Sequence, residues 1–117
     1  MTESVEQAIQ PYINAVTAKK AIDVMALDVR KQTSYTDIII IAGGQSGRQV
    51  TAIGEFVRRE LRKQGIKPLG VEGLKEGQWV LMDYGHVIIH LFHEDIRKFY
   101  DLEGLWSDAR RLKIGRP

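Results

Sequence analysis

Residue types able to do chemistry gather in three stretches of this sequence. His86, His90 and His93 stand within eight residues of one another. A metal site needs ligands that converge on one point. On a strand, parity puts His86 and His90 on one face and His93 on the other. Two strand residues four apart have Cα atoms about 13 Å apart, at about 3.3 Å per residue. They cannot hold one ion between them, so no metal is assigned. The expected outcome is a core or edge histidine with a hydrogen bond.

The second stretch is Gly43-Gly44-Gln45-Ser46-Gly47, which runs into the start of a helix. A glycine-rich turn ahead of a helix N-terminus can cradle a phosphate, and Ser46 and Arg48 are the candidate anion-binding residues. The spacing is neither Gly-x-Gly-x-x-Gly nor Gly-x-x-x-x-Gly-Lys-Ser/Thr. No Gly-x-Ser-x-Gly elbow is present, and a helix cap already accounts for Ser46. The order of elements resembles the nucleotidyltransferase fold, where a Gly-Gly or Gly-Ser pair opens the helix. That chemistry needs paired carboxylates on a neighbouring strand to hold two metal ions. Met82-Asp83-Tyr84 offers a single acid, and Glu72 is the other candidate nearby. A nucleotidyltransferase-like enzyme or nucleotide-binding protein is therefore the alternative to a binding module. No catalytic residue and no cofactor is assigned.

The third stretch is aromatic. Trp79 begins a strand directly after the charged turn Lys75-Glu76-Gly77, and Tyr84 sits at the tip of the next hairpin. Large amphipathic rings at such places are core anchors or interface hot spots. A tyrosine on a two-residue turn is expected to stay partly exposed. For Trp79 both roles stay open. No RNA-binding signature of alternating aromatics with Lys/Arg-Gly-Phe is present.

The elements that must position these residues follow from periodicity. Val5, Ile9, Ile13 and Val16 recur at helical spacing, so the first twenty residues form an amphipathic helix. Pro11 either kinks it or opens a second short helix. Residues 21–29 read as a strand. Residues 36–42 are a continuous β-branched run whose two faces must both be covered, which makes it a central strand. A helix follows over residues 47–64, opened by a capping box of Ser46 and Gln49 and closed at Gly65. Its buried stripe is Val50, Ile53, Val57 and Leu61. A short strand is expected around residues 69–71. Residues 78–83 and 87–92 pair as a hairpin across Tyr84-Gly85, and residues 94–105 form a terminal helix frayed at Gly104. The order is αββαβββα: an α/β or α+β domain with a mixed sheet of about five strands and flanking helices.

A chain of 117 residues is one ordinary domain. The absence of cysteine excludes disulfides and thiolate sites and fits a reducing cytoplasm. A net charge of +2 does not announce a nucleic-acid binder. Arg110, Arg111, Lys113 and Arg116 nonetheless crowd the end of the chain. Such a basic tail is either solvated or meets RNA phosphates. The start has no basic segment followed by an apolar run, and residues 38–42 are too short to span a bilayer. A cytoplasmic protein without membrane contact is expected.

The stretch from Trp79-Val80-Leu81-Met82-Asp83-Tyr84-Gly85-His86 to Phe92 resembles the ribosomal silencing factor family, also called RsfS or Iojap. Arg97-Lys98-Phe99-Tyr100-Asp101-Leu102-Glu103-Gly104-Leu105-Trp106 is similar to the family's ending. Upstream, Leu27-Asp28-Val29, Thr36-Asp37, Gly44-Gln45-Ser46-Gly47-Arg48-Gln49-Val50 and Gly70-Val71-Glu72-Gly73 also fit. The resemblance covers residues 21–106. It implies one domain over residues 1–106, with residues 107–117 as a basic tail. It implies a nucleotidyltransferase-like fold without that activity. It further implies binding to the large ribosomal subunit through ribosomal protein uL14, a block on subunit joining under nutrient limitation, and a homodimer when free. The tryptophan of the family's Trp-x-x-x-Asp motif and the residue after its aspartate belong to the contact surface. They fall here on Trp79 and Tyr84, with Asp83 between them as the motif's acid. Leucine is common at the second position in relatives; tyrosine keeps its apolar area and adds a hydroxyl. Gln45 stands where threonine is usual. Asp83, Glu72 and Glu76 would complement a basic ribosomal partner, and the tail would add a minor contact to ribosomal RNA.

Overall fold

The computed structural model describes residues 4–114. The chain opens with α1 (Val5–Thr17), whose Ser4 and Gln7 form a complete capping box. Pro11 lies inside this one continuous helix, so it opens no second one. Next come β1 (Ile22–Asp28), β2 (Ile38–Gly44), α2 (Gly47–Lys63), β3 (Gly70–Glu72), β4 (Trp79–Asp83) and β5 (Val87–His93). The chain then forms α3 (Glu94–Tyr100), α4 (Leu102–Leu105) and β6 (Arg110–Leu112).

The strands form one sheet in the order β3-β4-β5-β2-β1-β6. β2 and β5 run parallel, and the other neighbours are antiparallel. β2 is buried along its whole length, as its unbroken apolar run requires. α1 and α2 cover one face, where Ile13, Val16, Val50, Ile53 and Leu61 meet Ile40, Met82 and Ile89. The other face holds a smaller cluster of Leu27, Val29, Ile39, Ile41 and Phe92 under α3, α4 and Trp106.

Three expectations change. The sheet has six strands rather than five, because Arg110–Leu112 returns to pair with β1. The stretch read as a basic tail thus joins the fold, held by Leu112, which is 4% exposed. Three residues are too few for strand periodicity to show in the sequence. Arg116 lies outside the described residues. The terminal helix is broken at Asp101, whose left-handed φ of 45° ends α3 while its carboxylate caps Gly104 at the start of α4. At α2, Ser46 Oγ accepts from Gln49 N–H, but the Gln49 side chain accepts from Gln45 rather than from Ser46. Only half of the expected capping box forms there. The helix ends as expected: Gly65 has φ +78°, and Ile66 N–H closes onto Leu61 O in a Schellman turn.

Candidate functional site

β4 and β5 set the geometry of the site through strand parity. Trp79, Leu81 and Asp83 alternate onto the sheet face away from α1 and α2, while Val80 and Met82 join the core beneath the helices. Across the ladder, Trp79 pairs with Phe92, Leu81 with His90 and with Glu72, and Asp83 with Ile88 and Gly70. An aromatic lip with acids beside it results.

Trp79 is half-buried. Its ring lies 4.9 Å from that of Phe92 and 4.9 Å from that of Tyr100. Its indole Nε1–H donates to His90 Nδ1 at 3.0 Å. An indole can only donate, so His90 Nδ1 carries no proton and the neutral ring holds its proton on Nε2. Burial lowers the His90 pKa from 6.5 to about 4, consistent with that neutral state. His90 is the hydrogen-bonded core histidine that its position implied. His86 does not share its face. β5 begins only at Val87, so parity does not extend into the turn, and His86 Nε2 instead lies 3.5 Å from Tyr12 Oη on α1. Among the described residues no group of three His, Asp or Glu side chains converges as a metal site.

Tyr84 departs from expectation. It follows the parity of Met82 into the helix-covered face, where it is 7% exposed and meets the Tyr12 ring edge-on at 5.5 Å. Burial pushes its pKa up to about 12. Among the described residues its hydroxyl has no hydrogen-bond partner. Trp79 and Asp83 therefore share a surface that Tyr84 does not. The Asp83 carboxylate also shapes the turn by accepting from Gly85 N–H at 2.8 Å.

Ser46 Oγ is engaged as the cap of α2, and Arg48 is exposed beside it. Gly44 before them has a packing reason: a Cβ there would stand 2.8 Å from Val50 Cγ2.

Sequence reasoning missed the residues that complete the lip. α3 delivers Tyr100, 53% exposed, onto Trp79, and Phe99, 79% exposed, beside it at 5.2 Å. Arg97 fastens this helix. It donates to Ile22 O at 3.2 Å and Asp23 O at 2.9 Å, and pairs with Glu103 at 2.8 Å. Two adjacent aromatics at the end of a short helix that is otherwise charged except for Ile96 were the available signal.

A family model described as "Ribosomal silencing factor during starvation" matches residues 2–116. The chain belongs to the ribosomal silencing factor family. It is similar to the ribosomal silencing factor RsfS of Halalkalibacterium halodurans, with 38% identity over 93% of both chains. It is 41% identical to the RsfS of Bacillus subtilis over 78% of this chain and 77% of that one. A crystal structure of a protein from Chromobacterium violaceum superimposes with a TM-score of 0.85 at 33% identity, covering 97% of this chain and 93% of that one. The ribosomal silencing factor match runs through β6, which agrees with the place of Arg110–Leu112 in the sheet.

Proposed function

We propose that this chain binds the large ribosomal subunit through ribosomal protein uL14 and blocks subunit joining by steric exclusion, repressing translation when nutrients are scarce. It acts in the cytoplasm as a binding module and not as an enzyme. The observation that carries this reading is the aromatic lip: half-buried Trp79 next to exposed Tyr100 and Phe99, with Glu72 and Asp83 along the same sheet face. A ring held by a hydrogen bond to His90 and by neighbouring aromatics, yet still partly exposed, suits an interface anchor. The family's name supports the ribosome as its target.

A footprint of about 800 Å² per partner is enough for a stable complex, and occupancy then sets the degree of silencing. Glu72, Asp83 and Glu76 complement a basic partner, so binding should weaken as salt rises. Tyr84, which the family resemblance puts in the contact surface, serves here chiefly to hold the hairpin under Trp79 and Asp83. The free chain forms a homodimer, and its basic end adds a minor contact to ribosomal RNA. Co-sedimentation with isolated large subunits, compared with joined ribosomes, tests the proposal. The protein should travel with free large subunits and keep added small subunits apart. Normal joining at saturating dose would overturn it.

A further inference from the structure

We propose that the outer face of α2 is a polyanion-binding ridge that takes the phosphate backbone of RNA, on the opposite side of the sheet from Trp79. Residues 47–67 contain Arg48, Arg58, Arg59, Arg62, Lys63 and Lys67 against Glu55 and Glu60. That segment is more positive than the whole chain, whose net charge is +2, so the remainder is net negative. All six cations are exposed, while the other side of the helix, Val50, Ile53, Val57 and Leu61, is buried in the core.

Ordinary helix chemistry does not account for this arrangement. Arg58 with Arg62, and Arg59 with Lys63, are like-charge pairs four residues apart, which destabilise a helix. The helix dipole favours cations in the last turn and so accounts for Arg62 and Lys63, but its effect has faded at Arg58 and Arg59. The ion pair on this helix is Lys63 with Glu60 at 3.5 Å. Among the described residues, Arg58, Arg59, Arg62 and Lys67 have no carboxylate in ion-pair range. Two shallow grooves flank the ridge. One, of about 230 Å³, is lined by Arg58, Arg62, Lys67 and Pro68. The other, of about 270 Å³, is lined by Glu55, Arg58, Arg59, Arg62 and Leu74.

The shape identifies the class of ligand. Neighbouring cations on a helix stand about 5–6 Å apart at Cβ, a line of charge rather than a cradle for one small anion. Four of the six are arginines, whose planar fork suits phosphate oxygens. The apolar side of α2 is inside the core, so the helix cannot lie in a lipid surface as an interfacial helix does. The nearby aromatic, Phe56, is already covered by Lys19 at 4.9 Å, which leaves no platform for stacking bases. Recognition is therefore of the backbone and independent of sequence. A factor of the ribosomal silencing family meets such a backbone wherever it approaches ribosomal RNA.

The test is fluorescence anisotropy of the full chain with a labelled RNA hairpin over a range of potassium chloride concentrations. About four phosphate contacts predict a slope of log K against log salt of about −3. The triple variant R58Q/R59Q/R62Q should lose at least tenfold in affinity and about 2 units of that slope, with an unchanged melting curve. R58K/R59K/R62K should retain both, which separates loss of charge from damage to the helix. R111Q/K113Q on the β6 edge should lose no more than about twofold, as befits a minor contact, and Trp79→Ala on the other face should bind the hairpin like the parent. The inference fails if the loss follows the β6-edge variant instead. It also fails if binding ignores salt, or if vesicles of anionic phospholipid or polyglutamate are bound as tightly as the hairpin. Because Trp79→Ala affects docking to large subunits but not to the naked hairpin, this failure is distinguishable from failure of the proposed function.

Discussion

One face of the sheet is sealed and the other is left partly open. Beneath α1 and α2 the inward side chains from Val24 to Leu112 form one apolar cluster with little exposure. On the opposite face the short α3 and α4 cover Leu27, Ile39, Ile41 and Phe92 but leave Leu81, Asp83 and Glu72 partly or fully in contact with water. Polar atoms differ as well. The open face pairs its Trp79 nitrogen with His90, whereas the sealed face buries a Tyr84 hydroxyl with no partner among the described residues. Stability is concentrated under the long helices, which frees the thinner face to present an anchor.

Four experiments test this contrast, from the largest effect to the smallest. Ile53→Ala empties space in the sealed core and should cost 2–5 kcal/mol in urea denaturation, whereas Phe99→Ala on the open side should cost under about 0.5 kcal/mol. Equal costs would erase the distinction between the faces.

Acid should weaken the open face through His90. Its folded pKa of about 4 lies below its ordinary 6.5, so between those values the unfolded chain binds a proton that the folded chain refuses. Its contribution is complete above pH 6.5 and is lost as the pH falls toward 4, by about 3 kcal/mol in all. Denaturation at pH 7.5, 5.5 and 4.5 measures this, and His90→Leu should flatten the difference. A variant with the parent's pH slope would show that other groups carry it.

Trp79→Ala should lose about 2 kcal/mol or more of affinity for large subunits, measured by sedimentation, with a smaller loss of folding stability. The reverse ratio would make Trp79 a core residue. Tyr84→Phe should leave stability unchanged or raise it by up to about 1 kcal/mol, because it removes a buried hydroxyl that has no partner. A clear loss in thermal melting would reveal a bond to that oxygen.

Much of this architecture is legible in the sequence. The β-branched run at 38–41 demanded a strand covered on both sides, and β2 is that strand. The 3.6-residue stripe Val50, Ile53, Val57 and Leu61 defined the buried side of α2, and Gly65 marked its end. The hairpin of residues 78–83 and 87–92 across Tyr84-Gly85 matches β4 and β5. A turn position suggests exposure for Tyr84, whereas the ring of Tyr12, 72 residues earlier in the chain, covers it. Nothing local marks the roles of Tyr100 and Arg97, because their partners, Trp79 and the carbonyls of Ile22 and Asp23, are remote in sequence.

By itself the sequence determined the long elements from α1 to β5 and the family, since these depend on residue types at short, regular separations. The tertiary structure alone decided that residues 110–112 close the sheet, that Tyr84 turns inward and that α3 brings Tyr100 to Trp79. Each of those outcomes depends on contacts between segments far apart along the chain, and local periodicity carries no information about which distant surfaces meet.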